Sequence, residues 1–156
     1  MKRLFLYFVL PVSVLFGLIQ LVPSKQTNPK VTADIKAPVA VKAQLRTSCY
    51  DCHSNETKWP WYSKVAPFSW LVVHDVNEGR SELNFSDWGT YNTFKKRYLL
   101  KEIKETVEEG TMPVNLYTYA HPKAKLSPAT KSLLLKWVQT SLKNLPSPKR
   151  ATKKTK

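Results

Sequence analysis

The apolar positions form one continuous run at the start of the chain and several periodic stretches after residue 40. Residues 4–22, nineteen positions, carry no charge and follow Lys2 and Arg3. This length is close to the ~20 residues that span a bilayer and longer than the roughly 7–15 of a secretory signal. It predicts an uncleaved signal anchor, a transmembrane helix, over residues 1–24. The basic flank predicts a single-pass inner-membrane protein of a Gram-negative bacterium, with its folded domain in the periplasm.

The rest of the chain is predicted to be helical. Residues 25–40 are polar, contain prolines and lysines, and predict a flexible tether. Beyond them, apolar residues recur at spacings of three and four, which indicates helices, and no hairpin signal is present. The folded domain is expected over residues 41–145, followed by a basic disordered tail over residues 146–156. The helices are predicted around residues 47–55, 67–79 and 90–109, with a last one that opens at Ser127 and Pro128 and ends before Pro146.

The positive charge of the chain limits the kinds of partner that it is expected to bind. Its 156 residues carry a formal net charge of +14, and the last fourteen include six basic residues and no acid. Such an excess favours an anionic partner. No zinc finger, aromatic RNA-binding motif or basic zipper accompanies it, so no nucleic-acid partner is predicted. An acidic redox protein is the expected partner, besides the membrane that holds the anchor.

The candidate chemistry lies in the segment Cys49-Tyr50-Asp51-Cys52-His53. It contains the only two cysteines of the chain, three positions apart and followed at once by histidine. This Cys-x-x-Cys-His pattern is the attachment site of a c-type haem. On one helical turn two thiols at i and i+3 can reach the two vinyl groups of one haem edge. The following imidazole then becomes the proximal iron ligand. The pattern predicts one covalent haem c in a small, all-α, cytochrome c-like domain.

Three other uses of the cysteine pair compete with haem attachment. A structural zinc site needs four ligands, and only His74 and His121 remain besides the motif, with no ligand-pair spacing. A plain disulfide would suit an oxidising compartment. A redox dithiol of the thioredoxin type would need a βαβ context, which the pattern does not predict.

Met112 is the predicted distal iron ligand. Apart from the initiator it is the only methionine, and it stands between the helix-ending Gly110 and Pro113. Pairing of methionine with histidine is typical of electron-carrying cytochromes. The alternative for Met112 is a core position, which most methionines occupy. His74 is the alternative distal ligand, and His121 is a weaker third candidate.

Several stretches outside the motif are distinctive when taken together with it. They are residues 49–57, 59–62, 69–80, 84–88, 108–113, Tyr117 and residues 121–127. Through them, over about residues 41–142, the chain resembles the bacterial haem-binding domain family, short anchored proteins with one Cys-x-x-Cys-His site. The resemblance implies covalent haem at Cys49 and Cys52 and ligation by His53. Unlike mono-haem cytochromes c, which carry a longer helix before the motif, this chain has only residues 41–48 available there.

Two functions follow from a haem of this kind. A haem closed by two axial ligands predicts a one-electron carrier that is not an enzyme. A displaceable sixth ligand would instead make the protein a haem-based sensor or ligand binder. An enzyme such as a peroxidase is the third alternative, and no acid–base pair beside the haem motif supports it.

Overall fold

The computed structural model describes residue 3 and residues 5–146 of the chain. The described part is helical and contains no strand, so the all-α part of the fold prediction is confirmed there. A π-helical turn, Phe5–Val9, comes first, and 3-10 turns occupy Trp61–Lys64, Phe85–Thr90 and Pro122–Ala124. The α-helices are α1 Leu10–Ile19, α2 Val39–Ser48, α3 Tyr50–His53, α4 Phe68–Glu82, α5 Thr93–Glu109, α6 Asn115–Ala120 and α7 Pro128–Asn144. The predicted basic tail lies outside the described residues, except for Pro146.

The core lies between α2, α5 and α7. Helix α5 buries Leu100 and Ile103 against Leu134 and Val138 of α7. Although α2 has only ten residues, Leu45 on its inner face is buried in the same cluster. Burial of a leucine or valine side chain contributes roughly 1.5–3 kcal/mol. The short helix before the cysteine motif is therefore anchored by the same core as the two long helices.

The ends of the long helices follow their sequence signals. The hydroxyl oxygen of Ser127 accepts a hydrogen bond from the Thr130 amide, which caps α7 as predicted. The side chain of Asn92 does the same for α5 through the Lys95 amide. At the other end of α5, Gly110 has a φ of 76°, the left-handed conformation that favours glycine at a helix stop. Helix α4 continues past the predicted end at residue 79. The helix predicted around residues 47–55 is interrupted at Cys49, and neither α2 nor α6 was predicted.

The predicted transmembrane helix over residues 1–24 is wrong. Among the described residues no helix is both long enough and apolar enough to cross a membrane. The ten residues of α1 rise only about 15 Å, about half the thickness of a bilayer's hydrocarbon core. Pro11 stands in the first turn of α1 and has no amide hydrogen, so a regular α-helical bond pattern does not run back through it. The single-pass inner-membrane location rested on that helix and is wrong with it.

The segment predicted as a tether contacts the helical domain along much of its length. The amides of Ala33 and Ile35 donate to the carbonyls of Ser86 and Phe85, and the Gly89 amide donates to the Ala33 carbonyl. Ile35 joins the core with 3% of its surface exposed. The 3-10 turn Phe85–Thr90 leaves carbonyls that the segment satisfies, so polar composition did not prevent ordered packing here.

Candidate functional site

The cysteine motif sits at a break between two helices. Helix α2 ends at Ser48, and Cys49 leaves helical geometry with a φ of −129° before α3 begins at Tyr50. The Tyr50 ring is buried and stacks on Phe85, with ring centroids 5.3 Å apart. Its hydroxyl donates to the Asp34 carboxylate over 2.7 Å. The buried Tyr50 ring therefore holds the motif against the core.

A small charged network supports Tyr50. The ammonium group of Lys42 contacts both the Asp34 carboxylate and the Tyr50 hydroxyl. Burial would raise the pKa of Asp34, but the hydrogen bonds from Lys42, Tyr50 and the Ile35 amide outweigh it and lower that pKa. Lys42 lies on α2, Asp34 in the segment before it and Tyr50 on α3. The network therefore joins three parts of the chain beside the motif.

His53 is oriented for ligation through one nitrogen. Its Nδ1 lies 2.8 Å from the carbonyl oxygen of Gly79 and 3.1 Å from that of Leu83, and these acceptors require a hydrogen on Nδ1. Burial lowers the pKa of His53, which favours the neutral ring. The unprotonated Nε2 then has a free lone pair and no hydrogen bond to a described residue. Backbone carbonyls that accept from the other ring nitrogen orient metal-binding histidines in this way.

Gly79 brings α4 against the motif. A Cβ atom on this residue would lie 2.8 Å from the Cys52 carbonyl oxygen and 3.1 Å from the Cys52 Cβ. Only glycine therefore permits this approach without a backbone shift. The same residue supplies a carbonyl to His53, so helix packing and ligand orientation depend on one position. The sequence-based prediction placed Gly79 at a helix end and gave it no role.

Arg80 binds the loop that follows the motif. Its guanidinium donates to the Ser54 carbonyl over 2.7 Å and to the Thr57 hydroxyl over 2.7 Å. It also donates to the Thr27 carbonyl, 2.8 Å away in the segment before α2. A planar guanidinium with five donors suits such a junction. The resemblance to known haem-binding chains included Arg80, but no role for it followed from the sequence.

Two cavities flank the cysteine motif. The first, here named the Cys49 cavity, has a volume of about 240 Å³, and its wall includes Cys49, His53, Leu99 and Met112. It opens onto the core helices, with Leu45 of α2 and Leu134 of α7 also in its wall. The structure thus brings together three of the four residues predicted to attach or ligate haem. Met112 has 38% of its surface exposed.

The second, the Cys52 cavity, has a volume of about 470 Å³ and lies between α3, α4 and α6. Cys52 lines it, together with several aromatic side chains. In its wall the Tyr117 hydroxyl donates to the Asp51 carboxylate over 2.7 Å, and the Tyr62 hydroxyl lies 2.7 Å from His121 Nε2. The rings of Tyr117 and His121 stack with centroids 4.6 Å apart. No role for Tyr117 was predicted, nor was α6, the helix that carries it.

Both cysteines are free thiols in the structure. Burial, and then the neighbouring Cys52, raise the pKa of Cys49 to about 12. Burial, followed by the carboxylates of Asp75 and Asp51, raises the pKa of Cys52 to about 11. Redox-active dithiols need a lowered thiol pKa, since the thiolate is the nucleophile. The surroundings of this pair therefore do not favour the dithiol alternative.

The other two histidines lie away from the Cys49 cavity. The His74 side chain is 71% exposed on α4 and lies 3.5 Å from the Glu78 carboxylate. His74, Asp75 and Glu78 form an exposed group of possible metal ligands within residues 5–146, and neither cysteine belongs to it. His121 lines the Cys52 cavity and bonds to Tyr62. The structure therefore brings neither His74 nor His121 to the wall that holds His53 and Met112.

These donors suit a haem. His53 offers one free imidazole nitrogen, Met112 a thioether and the two cysteines thiols, all beside largely apolar walls. When bound, the haem would supply an iron centre for one-electron exchange or for binding a small ligand.

Comparison with known proteins gives one match. The profile of the haem-binding domain family matches residues 14–140, which is well over half of the chain. Neither the curated proteins nor the solved structures contained a chain similar enough to report. The matched range includes the cysteine motif, both cavities and the core helices except the last four residues of α7. The chain therefore belongs to the haem-binding domain family, and haem is its cofactor.

Proposed function

We propose that this protein is a one-electron carrier with a single haem c. The haem would be bonded through Cys49 and Cys52 and ligated by His53 and Met112. The observation that carries the proposal is that His53, with its Nε2 free, and Met112 line the same cavity as Cys49. Histidine–methionine ligation raises a haem potential and leaves no open site for substrate.

His53 supports this assignment through its fixed orientation. The Gly79 and Leu83 carbonyls hold Nδ1, which keeps the ring in one tautomer and makes Nε2 more basic. The ring also packs edge-on against Phe85, with centroids 6.5 Å apart. A ligand held on two sides changes little between oxidation states, which suits electron transfer.

The positive charge of the chain suits an acidic redox partner. A net charge of +14 on 156 residues attracts an acidic surface and speeds its encounter with the protein. Rates of electron exchange with such a partner would fall as salt is added.

A second function is favoured by the exposure of Met112. With 38% of its surface exposed and a loop rather than a helix behind it, this thioether could leave the iron. The protein would then bind a small external ligand at the vacated position, as a haem-based sensor does. Carbon monoxide distinguishes the two functions because it binds ferrous haem only where a coordination position is open.

The test is an absorption spectrum of the dithionite-reduced protein, made in cells that mature c-type cytochromes, before and after carbon monoxide. The carrier proposal expects a haem c spectrum that carbon monoxide leaves unchanged. Met112→Ala should make the spectrum respond, whereas His74→Ala, the matched control for the rival ligand, should not. A wild-type spectrum that shifts with carbon monoxide would favour the sensor and contradict the carrier.

A further inference from the structure

Arg80 holds a positive charge in a fixed place beside the cysteine motif. Its guanidinium donates four hydrogen bonds, all of them to neutral oxygens. The acceptors are the Ser54 and Thr27 carbonyls, the Thr57 hydroxyl and the Asn28 side chain. The ion pairs within the described part of the chain do not include Arg80. The side chain is therefore firmly bound, and no carboxylate bonded to it cancels its charge.

This charge lies close to the residues that are proposed to bind the haem. On α4, Arg80 directly follows the residue whose carbonyl oxygen lies 2.8 Å from His53 Nδ1. Its Nε lies 2.7 Å from the carbonyl oxygen of Ser54, the residue after His53. Burial and two nearby carboxylates raise the pKa of Cys52, whereas the charge of Arg80 lowers it. The guanidinium therefore acts electrostatically on the motif.

Partial burial keeps the field of Arg80 from being fully screened. The side chain is half-buried, and this burial lowers the pKa of Arg80, against the opposing effect of Cys52. Water weakens the field of a charge less where protein surrounds part of that charge. A guanidinium nevertheless stays protonated at any ordinary pH. Arg80 therefore supplies a permanent positive charge at this point.

A fixed positive charge near a haem favours the reduced state of its iron. The ferric form has one more positive charge than the ferrous form, so a neighbouring cation disfavours it more. We propose that Arg80 raises the reduction potential of the haem through its charge. The carboxylates of Asp51 and Asp75 on the same side act in the opposite direction. This inference rests on the proposed electron transfer and assigns to Arg80 a part in setting its potential.

The test is a spectroelectrochemical titration of the full chain, made in cells that mature c-type cytochromes. Arg80→Gln removes the charge, and Arg80→Lys keeps the charge but loses the planar guanidinium. At the wild-type midpoint potential, the ratio of ferrous to ferric haem should fall at least about threefold in Arg80→Gln and less than about twofold in Arg80→Lys. An unchanged ratio in Arg80→Gln would overturn the proposal. Equal falls in both variants would also overturn it, because lost hydrogen bonds would then explain them.

Arg46→Gln is the matched control for the loss of an arginine near the motif. Arg46 lies on α2, three residues before Cys49, and its side chain is 47% exposed. Because solvent screens an exposed charge, this variant should change the ratio less than about twofold. A fall as large as that of Arg80→Gln would contradict a specific effect of the half-buried charge.

Asn28→Asp tests the same point without removing Arg80. The Asn28 side-chain oxygen already accepts from Nη2 of Arg80 over 3.0 Å, so a carboxylate there provides a counter-ion with little change in shape. The variant measures how strongly charge at this position acts on the haem, even if Arg80→Gln does not fold. The ratio of ferrous to ferric haem should fall at least about twofold. An unchanged ratio would overturn the proposal.

The wild-type titration separates this proposal from the electron-carrier proposal. A wild-type haem c that titrates as a one-electron couple, with the same midpoint in Arg80→Gln, would overturn the role of Arg80 and leave the carrier standing. A wild-type chain without a reducible haem would overturn both proposals. A one-electron couple whose midpoint falls in Arg80→Gln and in Asn28→Asp, but not in Arg80→Lys, would support both.

Discussion

The two cavities beside α3 differ in what surrounds them, although Cys49 and Cys52 are only three residues apart. The Cys49 cavity borders the core helices and holds His53 and Met112. The Cys52 cavity is walled by aromatic rings, many of them exposed, and by two carboxylates. Within one helical turn the two cysteines therefore border different surroundings, the core helices at Cys49 and aromatic rings at Cys52.

Removal of the thiols has the largest expected effect. Cys49→Ala with Cys52→Ala should abolish covalent haem entirely, since no other cysteine exists in the chain. Each single variant should keep one thioether and retain part of the haem. Haem staining of a denaturing gel measures what survives unfolding. Full staining of the double variant would contradict attachment at these residues.

Gly79→Ala should be the most damaging single change near the motif. The new methyl group would meet the Cys52 carbonyl at 2.8 Å, so we expect a loss of about 1–3 kcal/mol in the free energy of unfolding. Urea unfolding measures it. Gly17→Ala is the matched control, because apart from its chain neighbours and its own helix backbone no atom lies within 4 Å of its Cβ position. It should be neutral or stabilise by up to about 1 kcal/mol. Equal effects would contradict the close approach of α4.

Removal of one tyrosine hydroxyl beside each cysteine compares the two surroundings directly. Tyr50→Phe removes the buried hydroxyl that donates to Asp34 and accepts from Lys42, and it should cost about 1–3 kcal/mol of unfolding free energy. Tyr117→Phe, in the Cys52 cavity, removes a bond to the Asp51 carboxylate and should cost about 0.5–1.5 kcal/mol. The same urea titration measures both. A larger loss for Tyr117 would contradict the expectation that the buried Tyr50 contributes more to stability.

Low pH should lower the stability of the fold near Cys49 by protonating Asp34, and this is the smallest of the expected effects. The pKa of Asp34 is lowered by its hydrogen bonds, so its ionised form stabilises the fold above the ordinary carboxyl value of 3.8. That stabilisation is lost as the pH falls through the lower, folded-state pKa. Asp34→Asn should be less stable than wild type at pH 7, with the gap narrowing near pH 3. A gap independent of pH would exclude the carboxylate as its source.

Local signals predicted α4, α5 and α7 close to their observed bounds. Ser127 and Gly110 mark helix ends by their own backbone chemistry, which a single sequence displays. The family assignment rests on several such stretches and is confirmed by the profile match. These features depend on neighbours in sequence and need no knowledge of tertiary contacts.

Features that depend on distant contacts escaped prediction. Gly79 matters because Cys52 lies against it, and the spacing between them carries no sign of that approach. Ala33 and Ile35 are ordered by carbonyls fifty or more positions away. His74 shares a helix face with Trp70 in the sequence pattern, yet its side chain is exposed. The apolar run over residues 4–22 is long enough for a membrane span, but the α-helix within it, α1, has only ten residues.

Intact-mass spectrometry of the purified chain, unfolded in acid and denaturant, tests haem attachment most directly. A covalent haem survives unfolding, so the mass should be that of the chain plus one haem. The variant that lacks Cys49 and Cys52 should show the mass of its chain alone. A wild-type mass without haem, from cells that mature c-type cytochromes and from protein that carries a haem spectrum before unfolding, would contradict covalent attachment.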